Sequence, residues 1–422
     1  MFFKASFRES LGKAIDDMAN YSSLMEEFED YMLQSEDDAQ AVVSALDKLL
    51  SSSIDRKAAP KVLHAVIAFF QMSDGEEATV FLRKHGIPRL IRLIEAHWND
   101  VELRDDLRFA LKQLGSYQTP EGVPVIVRAI REWPDGFMWT VILGAFAEPD
   151  APQTRCLIDL IGSDLPSGFA GVAYLDVVNR LARETGLEPH PFASEQGIKR
   201  LKALLTDEDS DAAISATAAL PFLPANSQSE LFSLALEHLN WEVQAEAAWA
   251  MAHCGNERGF RLLVEFAKDV HKFYKVARYM LELGREYLLP METHSADFLA
   301  MAEMSQWLQH PNEMGRVPDE LTLYDTRELY WPPTDDRRQV WLFRYVFRHW
   351  PDGGAAVEDV GLGMVGSVTW AMFGKITENL NSEQVYAIHC CWELRQNKDS
   401  RAPQNLDADA GLEILRQYNP GC

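Results

Sequence analysis

Four groups of side chains have the types and spacing that chemistry would need. Gly361-Leu362-Gly363-Met364-Val365-Gly366 spells G-x-G-x-x-G, the pattern that lets a backbone approach a dinucleotide's pyrophosphate. That pattern works between a strand and a helix of a βαβ unit. Here Ser367-Val368-Thr369-Trp370 follows, which favours another strand, and the chain upstream is helical. The expectation is a glycine-bearing strand against which another part of the chain comes close. His389-Cys390-Cys391 is the densest group of metal-capable side chains. Adjacent cysteines cannot share one helical face, and no second ligand pair has metal spacing, so His389 reads as a core histidine. Asp207-Glu208-Asp209-Ser210-Asp211 begins like a calcium loop. Its sixth position is Ala212 where glycine is needed, and its twelfth is Ala218 where glutamate is needed. These acids suit the positive end of a helix instead. Gly-x-Ser-x-Gly, His-Glu-x-x-His and phosphate-loop patterns do not occur. The sequence therefore assigns no catalytic residue, no metal ligand and no cofactor.

The fourth group is cationic and aromatic. Arg337, Arg338, Arg344, Arg348 and His349 interleave with aromatic residues. Trp341, Arg344, Arg348, Trp350 and Trp370 form the candidate partner-binding patch, because tryptophan and arginine anchor many protein interfaces. The competing expectation is a strand whose arginines pair with abundant acids. The same chemistry can stack nucleic-acid bases. Against that, 64 acidic residues face 40 basic ones, a net charge of −24 that repels a phosphate backbone. A protein is the expected partner, and nucleic acid is not.

These groups are carried on elements that repeat. Val243, Ala247, Ala250, Met251 and Cys254 make one apolar helix face, ended by Gly255. Ala212, Ala216, Ala219, Leu220 and Leu223 repeat the spacing before Pro224, and Leu103, Leu107, Ala110, Leu111 and Leu114 repeat it before Gly115. Further amphipathic helices follow one another through short Pro- or Gly-bearing connections, as in stacked helical pairs. Trp133-Pro134-Asp135-Gly136 and Trp350-Pro351-Asp352-Gly353 share good turn chemistry. The acids Glu26, Glu27, Glu29, Asp30, Glu36, Asp37 and Asp38 read as a solvated face and loop. Five cysteines without a Cys-x-x-Cys, and no apolar run of spanning length, predict a cytoplasmic protein that does not enter a membrane.

Two segments resemble known repeats. His85-Gly86-Ile87-Pro88 leading into Arg89–Ile94 resembles an armadillo repeat, whose Gly-Ile-Pro turn opens the last helix. Asn240-Trp241-Glu242-Val243-Gln244-Ala245-Glu246-Ala247-Ala248 resembles the HEAT-like repeats of bilin lyases and many bacterial proteins, although the usual arginine is Gln244. The resemblance implies a mainly α fold: an α-α superhelix, or HEAT-like solenoid, over residues 1–310.

Beyond residue 311 prolines interrupt the helical pattern. Gln339–Trp350 alternates as a strand, with Trp341, Phe343, Tyr345 and Phe347 on one face and Val340, Leu342, Arg344, Val346 and Arg348 on the other. A second strand is expected between Val360 and Phe373. A helix is expected from Asn381 to Leu394, with Gln384 completing an Asn cap and Val385, Ile388, His389 and Trp392 on its inner face. Residues 311–422 thus form a small α+β module or cap. The expected function is a protein–protein scaffold or adaptor without catalysis. The bilin-lyase resemblance implies the alternative of a cofactor-handling lyase or chaperone, and a HEAT-like nucleic-acid protein is the second alternative.

Overall fold

The computed structural model describes residues 11, 31–51, 67–73, 75–146, 148, 151–207, 209–350, 356–373, 379–404 and 407–420. The acids Glu26, Glu27, Glu29 and Asp30, the residues Glu208 and Cys422, and the Pro351-Asp352-Gly353 turn lie outside them. The chain is mainly helical and divides into two compact units, Met1–Ala247 and Ala248–Cys422.

In the first unit helices follow one another: α1 (Glu36–Ser51), α2 (Glu76–Phe81), α3 (Ile87–Ala96), α4 (Arg104–Ser116), α5 (Val123–Glu132) and α6 (Met138–Gly144). Then come α7 (Pro152–Ile161), α8 (Gly168–Thr185), α9 (Glu195–Leu205), α10 (Ser210–Ala218) and α11 (Ala225–Glu237). The division between the units falls inside α12 (Trp241–His253). Some sequence neighbours pack together, as α3 on α4, α4 on α5 and α9 on α10, and next-but-one helices do so regularly: α4 on α6, α6 on α8, α8 on α10, and separately α5 on α7 and α9 on α11. This packing is compatible with a helical-repeat solenoid.

The three spaced apolar faces are buried, apart from the exposed Cys254. Their helices differ in length. Leu103 closes a 3-10 turn before α4, and α10 ends at Ala218, because Leu220-Pro221-Phe222 forms its own 3-10 turn. Pro221 lacks the N–H that a continuing helix would use. The Gly-Ile-Pro segment also departs from the expected break. Gly86 is right-handed, and a π-helical turn, Leu82–Gly86, joins α2 to α3. Widening the helix there accommodates the missing amide and ring of Pro88.

In the second unit α13 (Glu257–Ala267), α14 (Phe273–Glu282) and α15 (Ala296–Gln309) precede a four-stranded antiparallel sheet. Its order is β1 (Glu320–Trp331), β2 (Asp336–His349), β3 (Val357–Val365), β4 (Trp370–Phe373). The helices α16 (Ser382–Gln396) and α17 (Ala408–Tyr418) close the chain. The expected second strand is thus two strands, and β1 is a further strand. Pro332 and Pro333 sit in the tight connection between β1 and β2.

The expected split of β2 into two faces explains the packing. Phe343, Tyr345 and Phe347 form one core with Ala300, Met304 and Leu308 of α15. Val340 and Leu342 form another with Val385, Tyr386, Cys390 and Leu394 of α16 and Leu415 of α17. A strand covered on both sides must be apolar on both, and β2 is nearly so. The α16 helix carries the expected capping box between Asn381 and Gln384. It is buried more widely than one stripe, because the sheet lies on one side and α17 on another. Both Cys390 and Cys391 are therefore buried, although they cannot share a face.

Candidate functional site

The five candidate residues all belong to the sheet or its ends, and strand register separates them. Trp341 pairs across to Val365 and lies on the α15 side, where its Nε1 donates to Asp297 Oδ1 at 2.7 Å. Leu342 pairs with Met364, and Met364 with Trp370, so Trp370 lies on the opposite side. There its ring stacks on Trp392 of α16, centroids 5.3 Å apart and planes within 8°. Trp341 and Trp370 therefore face away from each other.

Arg344 and Arg348 share the Trp370 side, toward the Glu320 end of the sheet. Arg344 Nη1 lies 3.9 Å from Glu320 Oε2. Arg348 donates to Glu320 and, at 2.8 Å, to Glu358 Oε1. Those two carboxylates, Glu358 first, hold its guanidinium above its ordinary pKa. The Arg348 backbone N–H donates to Asp319 Oδ2 at 2.7 Å and keeps that carboxyl below its usual range. Arg337 pairs with Glu328, Arg338 with Asp336, and His349 lies 3.5 Å from Asp359. Arg337, Arg344 and Arg348 thus pair with acids on neighbouring strands, while Arg338 and Asp336 share β2. Trp350, just past β2, is 62% exposed and is the one member of the five that is largely open to solvent.

The G-x-G-x-x-G segment is β3 and the turn after it. A Cβ at Gly361 would enter the Tyr345 ring, and one at Gly363 would meet Met304 of α15. Gly366 has φ +107° and lies against the backbone of Gln339. These glycines make room for an aromatic ring, a helix and a neighbouring strand, and no helix follows to receive a phosphate.

His389 stands in the core among three indoles. Its ring lies 5.8 Å from Trp331, 5.2 Å from Trp370 and 5.6 Å from Trp392. Its Nε2 is 3.6 Å from Glu393 Oε2, and burial pushes its pKa down. Glu393 accepts from Trp331 Nε1 at 2.8 Å and from Ser367 Oγ at 2.7 Å. Burial would raise the Glu393 carboxyl, but the nearby His389 imidazole and the hydrogen bonds from Trp331 and Ser367 together hold it low. Ser367 also accepts from Arg338 Nη1 at 3.3 Å. The hydroxyl of Ser367 thus faces a carboxylate and a guanidinium, not the imidazole, and a serine nucleophile activated by His389 is not built here. Burial pushes the Cys391 thiol up to about 11 and raises Cys390 as well, so neither is a thiolate at neutral pH. Among the described residues no group of three His, Cys, Asp or Glu side chains is arranged to hold a metal.

Sequence reasoning missed this carboxylate. Glu393 follows Trp392 on a helix whose inner face reads as apolar, and its role shows only in its distant partners, the Trp331 indole and the Ser367 hydroxyl, 62 and 26 residues away. The expected calcium-like acids behave as anticipated: Asp209 caps α10 by accepting from Asp211 N at 3.0 Å and Ala212 N at 3.3 Å. The Trp133-Pro134-Asp135-Gly136 turn proves more than local. Trp133 is buried and stacks on Trp98 at 4.1 Å, with Arg128 over Trp98 at 3.9 Å and Arg104 over Trp133 at 5.4 Å. Comparison with known protein families and with curated proteins found no match. No helix among the described residues is long and apolar enough to cross a membrane.

Proposed function

We propose that the protein is a HEAT-like solenoid that acts as a scaffold or adaptor for other proteins, without catalysis of its own. The observation that supports this most is the packing of next-but-one helices, α4–α6–α8–α10 beside α5–α7 and α9–α11. Stacked repeats of that kind build long surfaces from many short elements, and such surfaces suit partners more than small substrates. The chemistry inside the C-terminal module fits a supporting role: Glu393 is consumed by Trp331 and Ser367, and Arg348 by Glu320 and Glu358. The four described cysteines are free, in keeping with a reducing cytoplasm. The exposed Trp350 is the anchor that the sheet region contributes to this reading.

The test is affinity capture by the full chain from native extract, followed by mass spectrometry, beside a Trp350→Ala variant. A protein recovered in stoichiometric amount, and retained through a moderate salt wash, is the expected result. Repeated capture with no protein above the bare matrix would overturn the scaffold reading. A partner lost with Trp350→Ala would place part of the contact at the end of β2.

A further inference from the structure

Large apolar side chains are exposed at several points in the first unit, and four of them gather about one turn. Val101 is 66% exposed, Phe137 73%, Val141 44% and Phe169 40%. Val101 opens the 3-10 turn before α4, Phe137 precedes α6, Val141 lies on α6, and Phe169 is the second residue of α8. The Trp133–Gly136 turn ties these helix starts together. Arg108 of α4 donates to Asp135 O at 2.7 Å, and its guanidinium lies beneath Gly136. The Ala170 N–H of α8 donates to Pro134 O at 2.8 Å. Arg104, at the first position of α4, lies over the Trp133 ring. The helix starts that carry these four residues are therefore braced on one turn.

Nothing in the folding of this rim of helix starts requires Phe137 to face water. Phe137 adjoins Trp139, which is fully buried, and the turn's structural work is done by Trp133, Gly136 and backbone carbonyls. Apolar side chains held outward by a rigid turn are typical of a binding patch. The charge beside them is more acidic than basic. Glu102, Asp105 and Asp135 are exposed, while Arg104 and Arg108 are half-buried, Arg104 over the Trp133 ring and Arg108 paired with Asp105 and donating to the Asp135 carbonyl. The whole chain, at −24, extends the same field.

We infer that this rim, where α4, α6 and α8 begin, docks a basic amphipathic segment of a partner protein. Its apolar side chains would cover Phe137, Val101 and Phe169, while its lysines or arginines meet Glu102 and Asp135. The inference rests on the scaffold reading and gives that reading a place and a partner chemistry. Acidic attraction alone would speed encounter without selecting a partner, and the apolar row supplies the selection.

The experiment is a fluorescence-anisotropy titration of the full chain with two labelled synthetic peptides of equal charge. One is an amphipathic Leu/Lys helix, and the other replaces each leucine by serine. The Leu/Lys peptide is expected to bind about tenfold tighter or more, a difference of about 1.4 kcal/mol. The triple variant Val101→Ser, Phe137→Ser, Phe169→Ser keeps every charge, and its fold is checked by circular dichroism. It should erase that preference and leave binding of the serine peptide unchanged. Equal affinity of the triple variant and the natural chain for the Leu/Lys peptide would overturn the inference. Self-association of the chain that the triple variant abolishes would assign the rim to a second copy, and would overturn it too. Capture from extract separates the two claims. A partner retained by the triple variant sinks the rim and spares the scaffold. Peptide docking at the rim with no captured partner supports the rim and sinks the scaffold.

Discussion

At the scale of single residues, two buried histidines set the response to acid. In the first unit the Phe192 N–H donates to His190 Nδ1 at 3.3 Å, so Nδ1 is an acceptor and Nε2 carries the hydrogen facing Asn179 Oδ1 at 3.1 Å. Asn179 passes the chain on to Ser215 O at 2.7 Å. Protonating Nδ1 would break the first link, and burial pushes the His190 pKa down to about 4. The folded state then binds fewer protons than the unfolded one below pH 6.5. Its stability is full above that value and falls as the pH drops toward 4, by at most about 1.4 kcal/mol per pH unit. An NMR titration of the ring, assigned with a His190→Asn variant, should show it neutral at pH 5, and a midpoint near the ordinary histidine value would refute this. His389 shifts in the same direction through burial, so acid should loosen the second unit as well. Its neighbour Glu393 offers a second check. Glu393→Ala leaves the Trp331 N–H and the Ser367 hydroxyl buried without their acceptor, and should cost about 3 kcal/mol in urea unfolding. A cost near zero would mean that this carboxylate is not holding α16 to the sheet. Sequence reasoning found His389 as a core residue, since its apolar neighbours lie at helical spacing. It could not find Glu393, because the partners that justify a buried carboxylate come from β1 and from the turn after β3.

Elements show where local sequence suffices. The Asn381–Gln384 capping box is readable from four residues, and it is formed. Asn381→Ala should lower stability by about 1 kcal/mol, and Asn381→Ser should restore most of it in thermal unfolding. The glycines of β3 show the opposite case. Their spacing suggests a phosphate loop, yet Gly361 is small because the Tyr345 ring crosses the strand at that point. Gly361→Ala should cost about 2 kcal/mol through overpacking. Combining it with Tyr345→Leu should recover part of that loss, and strictly additive losses in the double variant would remove the ring as the cause. β1 went unseen for a physical reason. Its residues Leu321–Glu328 lie at the sheet edge, partly exposed, and lack the apolar density that marks β2. The Gly86–Pro88 segment misled in another way: a proline usually implies a fresh helix start, but a π-helical turn carries the helix past it.

Across the whole molecule, charge is the property that sequence states most plainly. With 64 acids against 40 bases, the folded chain repels itself, although many arginines stand beside acids. Salt should therefore stabilise it: the urea midpoint should rise as the screening length shortens to about 8 Å near physiological ionic strength. A falling midpoint would show that the specific pairs outweigh the net repulsion. By itself the sequence determined the helical class, the acidic balance, the apolar helix faces and the two-faced character of β2, though not its bounds, because these depend on residue type and near-neighbour spacing. Tertiary structure alone decided the rest. Register sends Trp341 and Trp370 to opposite sides of the sheet, and the arginines between them find acids on neighbouring strands. The turn at Trp133–Gly136 buries one tryptophan and leaves Phe137 outside, because Arg108 and Ala170 reach it from helices that lie 27 and 36 residues away from their carbonyl partners. Spacing along a chain reports which faces are apolar; only long-range contact selects which of them remains open.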